Sequence, residues 1–412
     1  MIVIVGAGLS GLVCALELAK AGAPFVLLEQ NARVGGRIGS FYEDGYTFDL
    51  GFQVVLDNYP AVRAYLDVSA LGPRYFDPGA LMWDAGQMFT FRRPKTWTDF
   101  SSALQTTAGR GLNWGDKIRL GIIGAGLLAR NDETLLNEAF EVSTKRYLEG
   151  FSDAAFERFF RPFFGGVLLD NELETSATLF RYYFKKFLTG QTFLPRFGLQ
   201  AIPDQLARRL PAGALRLETE VTAVVLEQGK ATAVRLASGD EIELDQLVLT
   251  CPERVTAKLI GAQVREAHPA AVVYFRAGQS IYPEKLLVLQ TGRTKIVRNL
   301  VQITNVAPEY APPDVHLISA TVLRPRVTPA DVAAAEQEIN RIFALKPGTL
   351  RHVRTLEIPY AVPVQPPGSV FTQKFANPFP NVWRCGDQIS HASFQGAMES
   401  GAVTAKTILD RS

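Results

Sequence analysis

One short segment near the start of the chain constrains the fold more than any other feature of the sequence. The β-branched run Ile2–Val5 leads into Gly6-Ala7-Gly8-Leu9-Ser10-Gly11, and apolar residues then recur at helical spacing until Gly22. A second apolar run, Phe25–Leu28, ends in Glu29. Strand, glycine turn, helix and an acid-terminated second strand form a dinucleotide-binding unit. The sequence therefore predicts an α/β protein with a Rossmann-type domain.

Each glycine has a separate physical task in such a unit. Gly6 allows the tight turn, Gly8 lets the backbone approach a pyrophosphate, and Gly11 lets the helix pack closely on the strand. The amides of Leu9 and Ser10 lie at the helix start, where N–H groups and the helix dipole favour phosphate. We therefore expect all five residues to contribute to the cofactor site.

The acid at the end of the second strand selects among nucleotides. Glu29, with Gln30 after it, is placed to accept hydrogen bonds from both ribose hydroxyls, whereas a 2′-phosphate would meet like charge. The sequence therefore disfavours NADP.

A second glycine pattern, Gly124-Ala125-Gly126-Leu127-Leu128-Ala129, does not share this context. The residues before it make a poor buried strand, and no acid-terminated strand follows. We interpret 116–130 as an apolar helix with basic ends. Burial in the core is the favoured interpretation, and a surface that touches a membrane is the alternative.

Val34-Gly35-Gly36-Arg37 follows Glu29 closely. Together with the first glycine turn it resembles the FAD-binding opening of the flavin amine oxidase superfamily. That group includes monoamine and polyamine oxidases, protoporphyrinogen oxidase, and phytoene and carotene desaturases. In this resemblance Gly36 helps to turn the chain back to the phosphates, and Arg37 offers a cation to the pyrophosphate.

The end of the chain resembles the same family's closing flavin motif. It reads Arg384-Cys385-Gly386-Asp387, followed by Gln395-Gly396-Ala397-Met398-Glu399-Ser400-Gly401. The resemblance implies that Asp387 binds the ribityl chain and that the helix from Gln395 directs its amides at the flavin N1–C2=O edge. No cysteine lies in that helix, so the FAD is expected to be non-covalent.

The resemblance extends loosely over the whole length. Gly51 and Phe52 match the loop under the isoalloxazine, and Val221 falls in the segment whose backbone meets adenine. It implies a glutathione-reductase-like FAD domain from 1–75, 200–262 and 370–412. The substrate domain would combine a helical insert (76–199) with a sheet-plus-helix insert (263–369), and the cleft would lie between the two domains.

The expected reaction is hydride transfer from a substrate carbon to flavin N5. The amine oxidases of the superfamily carry a lysine near N5 and an aromatic cage residue. In this sequence the segment matching the lysine, 269–275, contains no lysine, and Ser393 stands at the position of the cage residue. Between Phe140 and Phe197 lie 15 of the chain's aromatic residues, and core packing accounts for most of them. An apolar polyene, terpenoid or tetrapyrrole is therefore favoured, with Gln53 and Tyr360 in its pocket.

Two alternatives remain open: a flavin amine oxidase that acts on a primary or secondary amine, and a scaffold that keeps FAD structurally. No catalytic protein residue is predicted, because the flavin carries the chemistry. Oxygen or a quinone is the expected electron acceptor.

Composition narrows the partners and the location. A net charge of +2 over 412 residues excludes a strongly basic nucleic-acid binder. Three cysteines far apart indicate a reducing compartment, and four histidines without ligand spacing predict no metal site. No run approaches the ~18 apolar residues of a spanning helix. We expect a cytoplasmic protein, with peripheral membrane contact through 116–130 as an open question.

Overall fold

The computed structural model of the protein describes residues 1–92, 112–138, 140–292, 295–369, 371 and 379–411. The chain has a mixed α/β fold. Its strands are β1 (Ile2–Val5), β2 (Phe25–Leu28), β3 (Ser40–Glu43), β4 (Tyr46–Asp49), β5 (Val55–Leu56), β6 (Arg74–Tyr75), β7 (Gly79–Asp84), β8 (Gln87–Arg92), β9 (Thr192–Leu194), β10 (Leu215–Arg216), β11 (Val221–Glu227), β12 (Lys230–Leu236), β13 (Glu241–Glu243), β14 (Gln246–Leu249), β15 (Ala267–Ala277), β16 (Leu287–Gln290), β17 (Val297–Gln302), β18 (His316–Val322), β19 (Arg351–Pro363) and β20 (Val382–Arg384).

The described helices are α1 (Leu9–Lys20), α2 (Pro60–Tyr65), α3 (Trp114–Leu128), α4 (Asp132–Asn137), α5 (Thr144–Tyr147), α6 (Asp153–Ala155), α7 (Arg161–Val167), α8 (Ala177–Thr189), α9 (Ala201–Ala207), α10 (Glu253–Ile260), α11 (Ile303–Val306), α12 (Pro329–Ile342) and α13 (Phe394–Leu409). A π-helical turn, Phe156–Phe160, joins α6 to α7, and a 3₁₀ turn, Pro308–Tyr310, follows α11. No described helix is long and apolar enough to cross a membrane.

A five-stranded parallel sheet holds both ends of the chain together. Its strand order is β10-β2-β1-β14-β20, and the strands around β1 are almost wholly buried. Helices α1 and α13 cover one face, and the antiparallel β11–β13 sheet covers the other. Burial on both faces explains why β1 and β14 are continuous apolar runs rather than alternating ones.

A larger sheet of seven strands, in the order β19-β15-β18-β17-β16-β7-β8, forms the second half of the molecule. Helix α12 packs on one face and begins at a capping box formed by Thr328 and Asp331. The opposite face of the seven-stranded sheet faces the parallel sheet and the aromatic-rich helices.

The insert over 76–199, which was expected to be helical, also contains strands. The β7–β8 hairpin lies there, and β7 pairs in parallel with β16, about 200 residues away along the chain. Local periodicity did not reveal it, because long-range pairing decides whether such a segment becomes a strand.

The second glycine pattern lies inside a helix, as the sequence indicated. Helix α3 runs from Trp114 to Leu128, two residues earlier than expected at each end. Asn113 and Asp116 form a capping box at its start. Gly124 and Gly126 therefore do not form a nucleotide-binding turn.

Candidate functional site

A cavity of about 860 Å³ lies between the carboxyl ends of the parallel strands and the inner face of the seven-stranded sheet. Most of the predicted site residues line it: Gly6, Gly8, Leu9, Ser10, Glu29, Gln30, Gly36, Arg37, Gly51, Phe52, Gln53, Val221, Gly386, Asp387 and Ala397. The other predicted residues do not line it: Gly11, Gln395, Gly396 and Tyr360. The fold thus brings together segments from both ends of the chain.

The turn between β1 and α1 has the geometry that a pyrophosphate requires. Gly6 has a φ of +103° and donates its N–H to the Leu28 carbonyl at 2.7 Å. A Cβ on Gly8 would meet no atom within 4 Å, so its backbone lies open to the cavity. A Cβ on Gly11 would lie 2.0 Å from the Gly6 carbonyl oxygen. Gly11 therefore acts through close packing.

Glu29 is buried at the end of β2, and its carboxylate lines the cavity. One carboxylate oxygen accepts from the Ala7 N–H at 2.8 Å, and the other accepts from the Asn31 N–H at 3.0 Å. These bonds fix the carboxylate beside the glycine turn and leave acceptor capacity toward the cavity. The sequence did not indicate that Glu29 also ties the turn to β2.

The second glycine turn docks on the first. Gly35 and Gly36 both have positive φ values, of +108° and +57°, and the Gly35 N–H donates to the Ala7 carbonyl at 2.8 Å. A side chain at Gly35 would disrupt this second turn, because a Cβ there would lie 2.1 Å from the Ile38 carbonyl oxygen. The backbone after Glu29 is thereby turned back to the cavity.

Arg37 and Asp387 connect the two ends of the sequence directly. Arg37 Nη2 lies 2.5 Å from Asp387 Oδ1, and Nη1 donates to the Ala361 carbonyl at 2.9 Å. The sequence assigned these side chains to the pyrophosphate and to the ribityl chain separately. In the structure they pair with one another at the wall of the cavity.

The start of α13 is held by contacts that the sequence motif does not reveal. Ser393 caps it by accepting from the Gly396 N–H at 3.0 Å. A Cβ on Gly396 would lie 2.0 Å from the His391 carbonyl oxygen. Gln395 accepts from the Ala61 N–H at 2.7 Å. Gln395 and Gly396 thus fix the helix start, and Ala397 of its first turn reaches the cavity wall.

Asp49 is a residue of the site region that sequence reasoning passed over. Its carboxylate accepts from Ser40 Oγ at 2.6 Å, from the Leu199 N–H at 2.9 Å and from the Tyr310 hydroxyl at 2.9 Å. Burial raises the pKa of Asp49 to about 6. The loop that follows begins with Gly51 at a φ of +89° and lines the cavity. Asp49 therefore anchors that loop.

Of the two residues predicted for the substrate pocket, Gln53 lines the cavity and Tyr360 does not. The Gln53 amide donates to the carbonyls of Leu50 at 3.0 Å and Arg37 at 3.1 Å, although the residue lines the cavity. The Tyr360 ring lies 5.7 Å from the Arg37 guanidinium, and its hydroxyl is buried without a partner. Burial raises the pKa of Tyr360 to about 12.

The part of the cavity next to the seven-stranded sheet is mostly apolar. The sheet contributes Ala270, Val272, Leu287, Leu289, Asn299, Thr321 and Ile358. The aromatic-rich segment contributes Phe159, Phe163, Tyr183, Phe184 and Phe187. Other aromatics of that segment, such as Phe160 and Phe164, are fully buried in the core behind them. Core packing and cavity lining thus share the cluster.

The sequence profile of the family described as flavin containing amine oxidoreductase matches residues 9–409. The chain belongs to this family. The family is described as flavin-containing, and the open glycine turn beside a buried carboxylate is a suitable cradle for FAD.

Individual relatives agree on the fold and differ in activity. The chain is 24% identical over 279 residues to 4,4'-diapolycopene oxygenase of Methylomonas sp., an alignment that covers 60% of this chain and 54% of the relative. It spans about half the length, or less, of the curated relatives that it matches. Across 99% of both chains it resembles an oxidoreductase from Methanosarcina mazei, with a TM-score of 0.71 and 18% identity. The chain also resembles the structure of putrescine oxidase bound to putrescine, with a TM-score of 0.69 and 18% identity. That comparison covers 100% of this chain and 99% of the other.

Proposed function

We propose that this oxidoreductase takes a hydride from a carbon of an apolar substrate, with a polyene, terpenoid or tetrapyrrole skeleton. FAD, when bound, accepts that hydride at N5. A second hydrogen leaves as a proton, and oxygen or a quinone finally takes the two electrons. The observation that carries the proposal is the apolar wall formed by the sheet face and the aromatic helices.

The protein's part is to bind and orient the two reactants. Leu9 and Ser10 would donate N–H groups to the pyrophosphate, and Glu29 would accept from the ribose. The further proposed cofactor contacts are the Val221 backbone at adenine, Gly51 and Phe52 beneath the ring, Gly386 and Asp387 at the ribityl chain, and Ala397 at the N1–C2=O edge. Because Arg37 pairs with Asp387, it would also hold that carboxylate in position.

We further propose that 1–75, 200–262 and 370–412 form a Rossmann-type FAD domain, and that 76–199 and 263–369 form the substrate domain. The parallel sheet falls in the first set and all strands of the seven-stranded sheet fall in the second. Support comes from the cavity, because its lining residues come from both sets. Gln53 and Tyr360 stay proposals for the substrate pocket.

Helix α3 supports a peripheral membrane contact. Trp114, Ile118 and Ile122 recur along one face and are 73%, 63% and 68% exposed. The other face of the same helix lines the cavity, through Leu120 and Gly124 among others. We propose that the exposed face, with Trp114, Ile118 and Ile122, rests on a bilayer. An apolar substrate would then reach the cavity without crossing water.

Flotation with phosphatidylcholine–phosphatidylglycerol vesicles tests the membrane contact. The wild type should float with the vesicles, and Ile118→Ser/Ile122→Ser should remain in solution with its FAD retained. Equal flotation of both proteins would exclude α3 as the contact.

Amine oxidation is the second candidate, and one observation favours it. The half-buried carboxylate of Asp77 lines the cavity, where it could hold an ammonium group. Against it, β15 presents Ala270 and Val272 to the cavity, and Lys117 is the only lysine among the described lining residues. A neutral wall leaves most of a cationic substrate poorly compensated.

Anaerobic flavin bleaching decides between the two candidates. Purified holoenzyme is mixed with benzylamine, with spermine, and with phytoene or a porphyrinogen in detergent. We expect bleaching by an apolar compound, and Asp77→Asn should leave its rate within about twofold. Bleaching by an amine that is lost in Asp77→Asn would establish the second candidate. If no compound bleaches the flavin, and photoreduced flavin is not reoxidised by oxygen or a quinone, the protein keeps FAD as a scaffold.

A further inference from the structure

Two polar side chains interrupt the apolar sheet face of the cavity. Val272, Thr321, Asn299 and Leu289 form one row across β15, β18, β17 and β16, because each is the direct pairing partner of the next. Paired residues of antiparallel strands project to the same face. All four line the cavity, and only the middle two can form hydrogen bonds.

Neither polar side chain is satisfied within the described part of the chain. Asn299 is 5% exposed and Thr321 is 4% exposed, and both Asn299 Oδ1 and Thr321 Oγ1 are buried without a hydrogen-bond partner. A buried polar group that lacks a hydrogen-bond partner destabilises the protein or complex that contains it. A plain hydrocarbon bound over this row would leave both groups unmet.

The helix opposite leaves room for a ligand atom beside this pair. A Cβ on Gly166 of α7 would lie 3.1 Å from Asn299 Nδ2, so any larger residue would crowd the amide. Gly166 itself lines the cavity. The pair therefore borders open space.

The sheet also gives the distance of this pair from β19, the strand that packs beside the Gly51 loop. Ile358 of β19 lies 3.6 Å from the position of a Cβ on Gly51. Thr321 is two strands from β19 and Asn299 is three. At the ordinary strand spacing these separations are roughly 10 Å and 14 Å.

We propose that Asn299 and Thr321 bind a hydroxyl group at one end of an otherwise apolar substrate, two to three strands away from the strand that packs beside the Gly51 loop. A hydroxyl both donates and accepts, and an amide beside a threonine offers both complements. This specificity rests on the proposed function, because it takes the apolar cavity to be the substrate site.

The test measures binding rather than turnover. All-trans-retinol and its deoxy analogue axerophthene, which has hydrogen in place of the hydroxyl, are titrated into holoenzyme at fixed detergent, and polyene fluorescence reports binding. The ratio of the two dissociation constants is compared between wild type and Asn299→Leu/Thr321→Val. Unequal partition into detergent cancels in that comparison.

The wild type should favour retinol by a ratio roughly 5- to 30-fold larger than the double variant, which should still bind axerophthene. Thr321→Val alone, nearly the same shape, should lose part of the preference. Ser319→Ala is the matched control, because Ser319 lies two residues earlier on β18 and does not line the cavity. It should keep the wild-type ratio.

An unchanged ratio in the double variant would overturn the proposal, and so would a wild type that binds neither compound. Failure of the proposed function gives a different result: retinol is still preferred, but no apolar compound bleaches the flavin.

Discussion

The two halves of the cavity are specified in different ways. The nucleotide half, which is the part proposed for FAD, is built from backbone turns at Gly6, Gly8 and Gly35, all within the first 35 residues of the chain. The half proposed for the substrate is built from side chains of strands such as β15 and β16, whose neighbours β19 and β7 come from distant parts of the chain. The first half should therefore fail through backbone strain, and the second through lost volume or polarity.

The largest effect should come from replacing a glycine by alanine in the first glycine pattern, compared with the same substitution in the second. Gly11→Ala places a Cβ against the Gly6 carbonyl oxygen, so we expect loss of FAD and of most of the folded protein. The matched control is Gly126→Ala in α3, whose nearest obstacle is the end of the Arg130 side chain at 3.9 Å. It should be neutral or stabilising by up to about 1 kcal/mol. Thermal unfolding and flavin content measure both, and comparable losses would refute the distinction.

Substitutions at two adjacent phenylalanines, Phe163 and Phe164, should distinguish a residue that lines the cavity from one that packs in the core. Phe164 is fully buried, with its ring centroid 4.5 Å from that of Phe180. Phe164→Ala should lower the free energy of unfolding by about 3–5 kcal/mol. Phe163 lines the cavity, so Phe163→Ala should cost less stability and raise the KM for the polyene that bleaches the flavin, with FAD retained. Denaturant unfolding and steady-state kinetics measure the pair, and the opposite ranking would contradict this assignment.

Glu29→Ala tests the nucleotide half by its charge. It removes the acceptor for the ribose and should weaken FAD binding by about 1–3 kcal/mol. Titration of the apoprotein with FAD, followed by flavin fluorescence, gives the dissociation constant. Glu243→Ala, on β13 outside the cavity lining, is the control and should bind FAD normally. An apoprotein that takes up NADP instead of FAD would contradict the whole assignment.

The smallest expected effect is a pH dependence at the loop that joins the halves. The pKa of Asp49 is about 6 in the folded protein, above the ordinary value of an aspartate, because burial disfavours the charged form. Its contribution to stability is complete below pH 4 and declines as the pH rises to about 6. Asp49→Asn should remove this decline. Unfolding at several pH values measures the difference between the two proteins, and identical profiles would exclude Asp49 as the cause.

Some of the site could be predicted because its chemistry is local. The turn at Gly6 and Gly8 and the acid at Glu29 follow from three consecutive elements, and all three residues line the cavity. The contacts of Gln395 with Ala61 and of Arg37 with Asp387 could not be predicted, since each joins residues more than 300 positions apart. The same limit hid the pairing of β7 with β16.

The sequence by itself determined the nucleotide-binding turn, the parallel strands around it and the family to which the chain belongs. These features depend on backbone conformation and on apolar periodicity, both of which are local properties. Only the tertiary structure decided that Asn299 and Thr321 lie side by side over an apolar cavity. Strand register sets which side chains share a face, and register is fixed by pairing between distant segments rather than by either segment alone.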